Sequence, residues 1–110
     1  MQSTFEVVAE PTRRRILDLL LAGERAVGDL VAELAMSQPA VSRHLRVLRD
    51  AGLVVTRTDA QRRLYRLDAR PLAAVDEWLE PYRRLWAGRL DSLAQHLDEM
   101  TDDPERKDAR

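Results

Sequence analysis

The stretch SQPAVSRHLRVLRDAGL, Ser37 to Leu53, decides the fold. It sets three arginines and a histidine beside an evenly spaced apolar row, in a chain whose net charge is only -1. On a helix each residue turns by about 100°. Val41, Leu45 and Leu48 then fall on one side, and Ser42, Arg43, Arg46 and Asp50 on the other. Pro39 cannot sit inside a helix but suits its first turn, with Ser37 or Gln38 ahead of it as cap. Gly52 is a natural stop. The spacing predicts a helix over 39–51 with a buried apolar flank and a cationic flank in solvent.

Working outward, Val27, Leu30, Val31 and Leu34 repeat at i, i+3, i+4 and i+7, which predicts a helix over 27–35. Met36-Ser37-Gln38-Pro39 makes a tight joint to the next helix, so the pair reads as a helix-turn-helix. After Gly52 the period changes from 3.6 to 2. Leu53 to Thr58 is rich in β-branched residues, Asp59-Ala60-Gln61 is a polar turn, and Arg62 to Leu67 alternates charge with apolar side chains. These residues predict a two-stranded hairpin, a wing. A hairpin alone is barely stable in water, so it must lean on the helices.

Residues 3–9 predict a short helix or turn capped by Ser3 or Thr4. Pro11 suits the first position of the next helix, whose Ile16, Leu17, Leu19 and Leu20 carry the helical spacing to about Ala22. Gly23 ends it. Pro71 opens the last helical region, with Leu72, Val75, Trp78 and Leu79 in one stripe that Tyr82, Leu85, Trp86, Leu93 and Leu97 continue. Pro81 must kink this region or divide it. The stripe is wider than a core of three helices needs. It predicts a homodimer through the terminal helices, with Phe5, Trp78, Tyr82, Leu85, Trp86, Leu93 and Leu97 at the interface. The plainer alternative is a stripe that closes the monomer's own core. An aromatic pocket around Trp78, Tyr82 and Trp86 for an unknown small-molecule effector is weighed against the same core packing and comes second to it. Residues 101–110 have no apolar anchor and read as a disordered tail. The expected fold is mainly α with a two-stranded wing, one domain over 1–100.

Composition narrows the function. The chain has 110 residues, 45% hydrophobic and 34% charged, which is the balance of a globular domain. No run of about eighteen apolar residues offers a membrane span. The start, MQSTFEVVAEPTRRR, lacks a basic segment followed by an apolar one, so a cytoplasmic protein is expected. There is no cysteine, which removes disulfides, thiolate metal sites and thiol nucleophiles. No nucleophile with a base, no glycine-rich phosphate loop and no ligand cluster suggests an enzyme or a cofactor. Charge is uneven, however. From Ser37 to Arg66 stand seven arginines against Asp50 and Asp59, a local +5, so the rest of the chain carries -6. Local charge is what steers a polyanion.

Those arginines suit double-stranded DNA. In a helix-turn-helix the second helix enters the major groove, and residues near its N-terminus reach base edges. Arg43 can donate bidentately to guanine, Gln38 can pair with adenine, and Ser42 can serve a base or a phosphate. Arg46 and Arg49 lie further along, where phosphate is the nearer target. Arg62 and Arg63, beside the wing tip, suit a minor groove or the backbone. Each has a bland alternative as solvated surface charge, strongest for Arg46 and Arg49. His44, at the edge of the apolar flank, reads as a packed or phosphate-touching histidine before a metal ligand. The rival function is a winged-helix module that turns its arginine face to an acidic protein.

The chain resembles the ArsR-type winged-helix transcriptional repressors over about Glu6 to His96. The resemblance rests on P-T-R-R-R-I-L-D-L-L, on S-Q-P-A-V-S-R-H-L-R-V-L-R-D-A-G-L-V and on R-R-L-Y-R-L. It implies a homodimer that occupies an operator and leaves when a signal arrives. It places base reading on Ser37, Gln38, Ser42 and Arg43, and wing contacts on Arg62 and Arg63. Metal-sensing members carry paired cysteines where this chain has Ala26 and Gly28. Others bind metal through carboxylates and histidines of the last helix; here Asp91 and His96, five residues apart, do not share a face. The resemblance therefore implies no metal sensing through those sites.

Overall fold

A computed structural model describes residues 2–101. Among them the chain forms α1 (Thr4–Ala9), α2 (Pro11–Leu21), β1 (Arg25–Ala26), α3 (Val27–Leu34), α4 (Gln38–Asp50), β2 (Val54–Asp59), β3 (Arg62–Leu67), a 3-10 turn (Arg70–Leu72) and α5 (Ala73–Thr101). These residues divide into two compact units, one ending at Val75 and the other starting at Asp76. The expected tail lies outside the described residues, except for Thr101, which ends α5.

Local chemistry explains where the helices begin and end. Ser3 Oγ accepts from the Glu6 amide while Glu6 Oε1 accepts from the Ser3 amide, a reciprocal cap on α1. Glu10 Oε2 accepts from the Arg13 amide at 2.9 Å and so caps α2, with Pro11 in its first turn. Ser37 Oγ accepts from the Ala40 amide at 3.3 Å and caps α4. At the other end of α4 the Gly52 amide donates to Arg49 O and the Leu53 amide to Leu48 O, both at 3.0 Å. That double closure needs a left-handed residue, and Gly52 has φ +77°. Ala35, directly after α3, is also left-handed, at φ 54° and ψ 42°, without glycine's freedom.

The first unit is built round one core. Val7 of α1, Ile16, Leu17 and Leu20 of α2, Leu30 and Leu34 of α3, Val41, Leu45 and Leu48 of α4, and Leu53 and Val54 at the wing's root are buried together. Each such side chain stabilises the fold by about 1.5–3 kcal/mol through burial. Tyr65, Leu67 and Leu72 pack against this cluster, which is how the hairpin leans on the helices.

The wing differs from expectation in one respect. It has three strands in the order β1-β3-β2, all antiparallel, not two. β1 pairs Arg25 with Tyr65 and Ala26 with Leu64. A strand of two residues shows no alternation, and α3 follows it at once, so no periodic signal marks it. The hairpin falls where it was expected, but Asp59, expected in the turn, ends β2 opposite Arg62, and the strand starts at Val54, opposite Leu67.

In the second unit α5 runs through Pro81 as one helix, so the proline does not divide it. Proline removes one amide from the helical ladder. One turn away, Arg83 Nη2 donates to the carbonyl of Asp76 at 2.7 Å, and Arg83 Nη1 lies 2.8 Å from Asp76 Oδ1.

Two of the left-handed positions, Ala35 and Gly52, give opposite expectations. Ala35→Gly should stabilise the protein by about 0.5–1 kcal/mol, and Gly52→Ala should cost about 1–2 kcal/mol. Thermal melts check both, since about 1 kcal/mol moves the midpoint of a small domain by about 4–8 °C.

Candidate nucleic-acid interface

The core sets the rotation of α4. With Val41, Leu45 and Leu48 all at or below 1% exposure, the opposite flank must face solvent. Gln38, Ser42, Arg43, Arg46 and Arg49 are all exposed, as is the cap Ser37. No acidic residue occupies the first turn of α4. The partial positive charge of the helix N-terminus is therefore left open beside Gln38 and Ser42.

The pleat of the wing sorts its arginines. Successive side chains of a strand point to opposite faces. Arg63 shares a face with Tyr65 and Leu67, which pack on the core, and its guanidinium carbon lies 6.0 Å from the Tyr65 ring centre. That face meets α4. Ser42, Leu45, Arg46, Arg49, Asp50, Arg63 and Tyr65 line one open cleft of about 410 Å³. Arg62 and Arg57 lie on the opposite face, where carboxylates meet them. Arg57 Nε and Nη2 donate to Glu24 at 2.7 and 2.8 Å, and Arg62 Nη2 lies 3.4 Å from Asp29 Oδ2. The bonded Arg57 guanidinium holds the Glu24 carboxyl below its usual range.

Among the described residues, no hydrogen bond or ion pair engages the guanidinium of Arg43, Arg46, Arg49 or Arg63. Arg15, Arg66 and Arg89 are likewise without such a partner, but several other arginines are engaged. Arg70 pairs with Asp68, and Arg83 and Arg84 both reach Glu80. Unpaired guanidinium groups close together repel one another, and an anion placed among them relieves that repulsion. The cleft beside α4 can thus take a phosphate, and the exposed flank of α4 carries donors of the kind that meet base edges.

The sequence pattern of the family described as "bacterial regulatory protein, arsR family" matches residues 10–56. The HTH-type transcriptional regulator Rv2034 of Mycobacterium tuberculosis is 42% identical over 99 residues, covering 90% of each chain. The chain belongs to the ArsR family. The transcriptional repressor SdpR of Bacillus subtilis is 33% identical over 79 residues, 72% of this chain and 88% of its own. A crystal structure of an ArsR family transcriptional regulator superposes with a TM-score of 0.65 at 31% identity, over 76% of this chain and 86% of that one. This ArsR-family chain is accordingly a DNA-binding transcriptional regulator with a winged-helix fold, and not an enzyme.

Several residues of this family member were not singled out by sequence reasoning. Glu10 caps α2 and lies 3.8 Å from His44 Nδ1, so the half-buried histidine faces a carboxylate as well as the core. Burial pushes the Glu10 carboxyl up, but the Arg13 amide and the nearby His44 and Arg13 outweigh it and leave it below its usual range. An acid directly before Pro11 was the legible signal. Glu24 and Asp29 meet arginines 33 residues away, and no local pattern announces such pairs. No helix among the described residues is long and apolar enough to cross a membrane. On α5, Leu85, Trp86, Leu93 and Leu97 are each about half exposed (49–52%), as are Tyr82 and, on α1, Phe5 to a lesser degree. Trp78 is 54% exposed and stacks at a tilt on Tyr82, with ring centres 5.0 Å apart.

Asp68, which leads out of the wing, carries a testable charge. Arg70 donates to Asp68 from its side chain at 2.6 Å and from its backbone amide at 3.1 Å, which lowers the carboxyl from 3.8 to about 2. A carboxyl whose folded value is depressed stabilises the fold above its unfolded value and loses that contribution as pH falls through the folded one. Asp68→Asn keeps an acceptor for the amide but not the charge. Its melting temperature should fall below that of the unsubstituted protein at pH 7, and the gap should narrow as pH drops from about 4 toward about 2.

Proposed function

We propose that this protein is a homodimeric repressor that binds a palindromic operator in the cytoplasm. The observation that carries the reading is the set of unpaired guanidinium groups of Arg43, Arg46, Arg49 and Arg63, collected by α4 and one face of the wing, while carboxylates meet Arg57 and Arg62 on the wing's other face. Gln38, Ser42 and Arg43, with the cap Ser37, read bases in the major groove. Arg46, Arg49 and Arg63 hold phosphates, each adding about 0.9 to the log–log salt slope. Arg62 joins them to the extent that Asp29 releases it.

The exposed apolar stripe of α5 supports the dimer. Tyr82, Leu85, Trp86, Leu93 and Leu97, with Trp78 and Phe5, offer the aromatic-rich surface that stable interfaces favour. Two reading helices related by a two-fold axis fit half-sites about one DNA turn apart. Relatives named as a transcriptional repressor and as a transcriptional activator both match this chain, so the similarity supports regulation, and repression is the reading put to test.

Selection of bound duplex from a random pool tests the whole reading, and a palindromic consensus is the expected result. Arg43→Ala should relax the preference at one base position, at a cost of about 1–3 kcal/mol against the best site. Arg63→Ala should weaken all sequences alike and reduce the salt slope by about 0.9 per protomer. A salt slope near zero for the unsubstituted protein would overturn DNA binding in favour of an acidic protein partner.

A further inference from the structure

The two wing arginines are neighbours in sequence and have opposite surroundings. Arg63 faces the cationic cleft, whereas Arg62 Nη2 lies 3.4 Å from Asp29 Oδ2. That same oxygen accepts from the Ala26 amide at 3.2 Å and so helps start α3. Capping needs an acceptor there, and an amide oxygen serves as well as a carboxylate. The Asp29–Arg62 pair is also too exposed, at 50% and 64%, to matter much for stability. What the carboxylate does that an amide would not is present a negative charge to the guanidinium beside the wing tip. A DNA phosphate would offer Arg62 the same charge and likewise a pair of acceptor oxygens.

We infer that Asp29 is a resident stand-in for phosphate, which holds Arg62 back from duplex and limits the affinity of the wing. The inference rests on the reading of this face as a DNA interface. Asp29 is a positioning residue: it touches no nucleic acid and acts through Arg62. In consequence the protein binds DNA with one fewer phosphate contact per protomer than its wing sequence offers. Affinity is kept below its ceiling by a residue on α3, outside the reading helix.

Salt titration of full-length protein against random-sequence duplex, read by fluorescence anisotropy, tests this. Asp29→Asn should bind about two- to fivefold more tightly at low salt. Its log–log slope should steepen by about 0.9 per protomer, the signature of one added phosphate contact. Both gains should vanish in Asp29→Asn/Arg62→Ala. Asp29→Ser, which also keeps an acceptor, should behave as Asp29→Asn does and guards against a folding defect in either one; circular dichroism confirms the fold. A slope no steeper in the Asp29 variants, or a gain that survives removal of Arg62, overturns the inference while the interface stands. A slope near zero in the unsubstituted protein overturns the interface reading and the inference with it.

Discussion

Burial of Val41, Leu45 and Leu48 governs everything functional in this chain. These side chains on one flank of α4 are each at or below 1% exposure and together contribute several kcal/mol by burial. Exposed ion pairs contribute about 0–1 kcal/mol each. The core therefore decides which way α4 faces, and the charges follow. Were α4 turned by a single residue, Ser42 would enter the core and the arginine row would sweep out of line with Arg63. Ser37 and Gly52 hold the two ends of that helix, so its rotation and its length are settled by separate local devices.

Electrostatics then explains how a chain of net charge -1 offers a cationic face. The acids are numerous, but in the first unit those that meet arginine lie away from the cleft: Glu24 and Asp29 behind the wing, Glu33 beside Arg25 and Asp68 at the wing's exit. Against the cleft beside α4 only Asp50 stands among the lining arginines. Segregation by strand pleat and helix flank, more than total charge, gives the molecule a side for a polyanion.

Much of this was legible beforehand, and for a common reason. The flank of α4, the alternation of Arg62 to Leu67 and the caps at Ser3 and Ser37 are all local patterns, set by residues within a turn or two of one another. The place of the hairpin turn was legible too, although Asp59, read as part of the turn, pairs with Arg62 at the end of β2. What escaped was non-local or aperiodic. β1 is two residues long and takes its identity from a strand about forty positions away. The division of labour between Arg62 and Arg63 depended on which faces the rest of the fold supplies with carboxylates. Pro81 suggested a kink or a break, and the break is not what happens: α5 continues as one helix, with the Arg83 side chain bonded to the carbonyl of Asp76 about two turns back.

The joint between α4 and β2 has a consequence for how related proteins can diverge. Gly52 and Leu53 close the last carbonyls of α4, and Leu53 also enters the core and hands the chain to the wing. An inserted residue there would throw every later strand position onto the wrong side of the pleat. Nothing comparable pins the hairpin tip, where Ala60 and Gln61 are exposed. Length changes are thus better borne at the tip than at this joint, which leaves the reach of the wing freer to vary than the bearing from which it approaches.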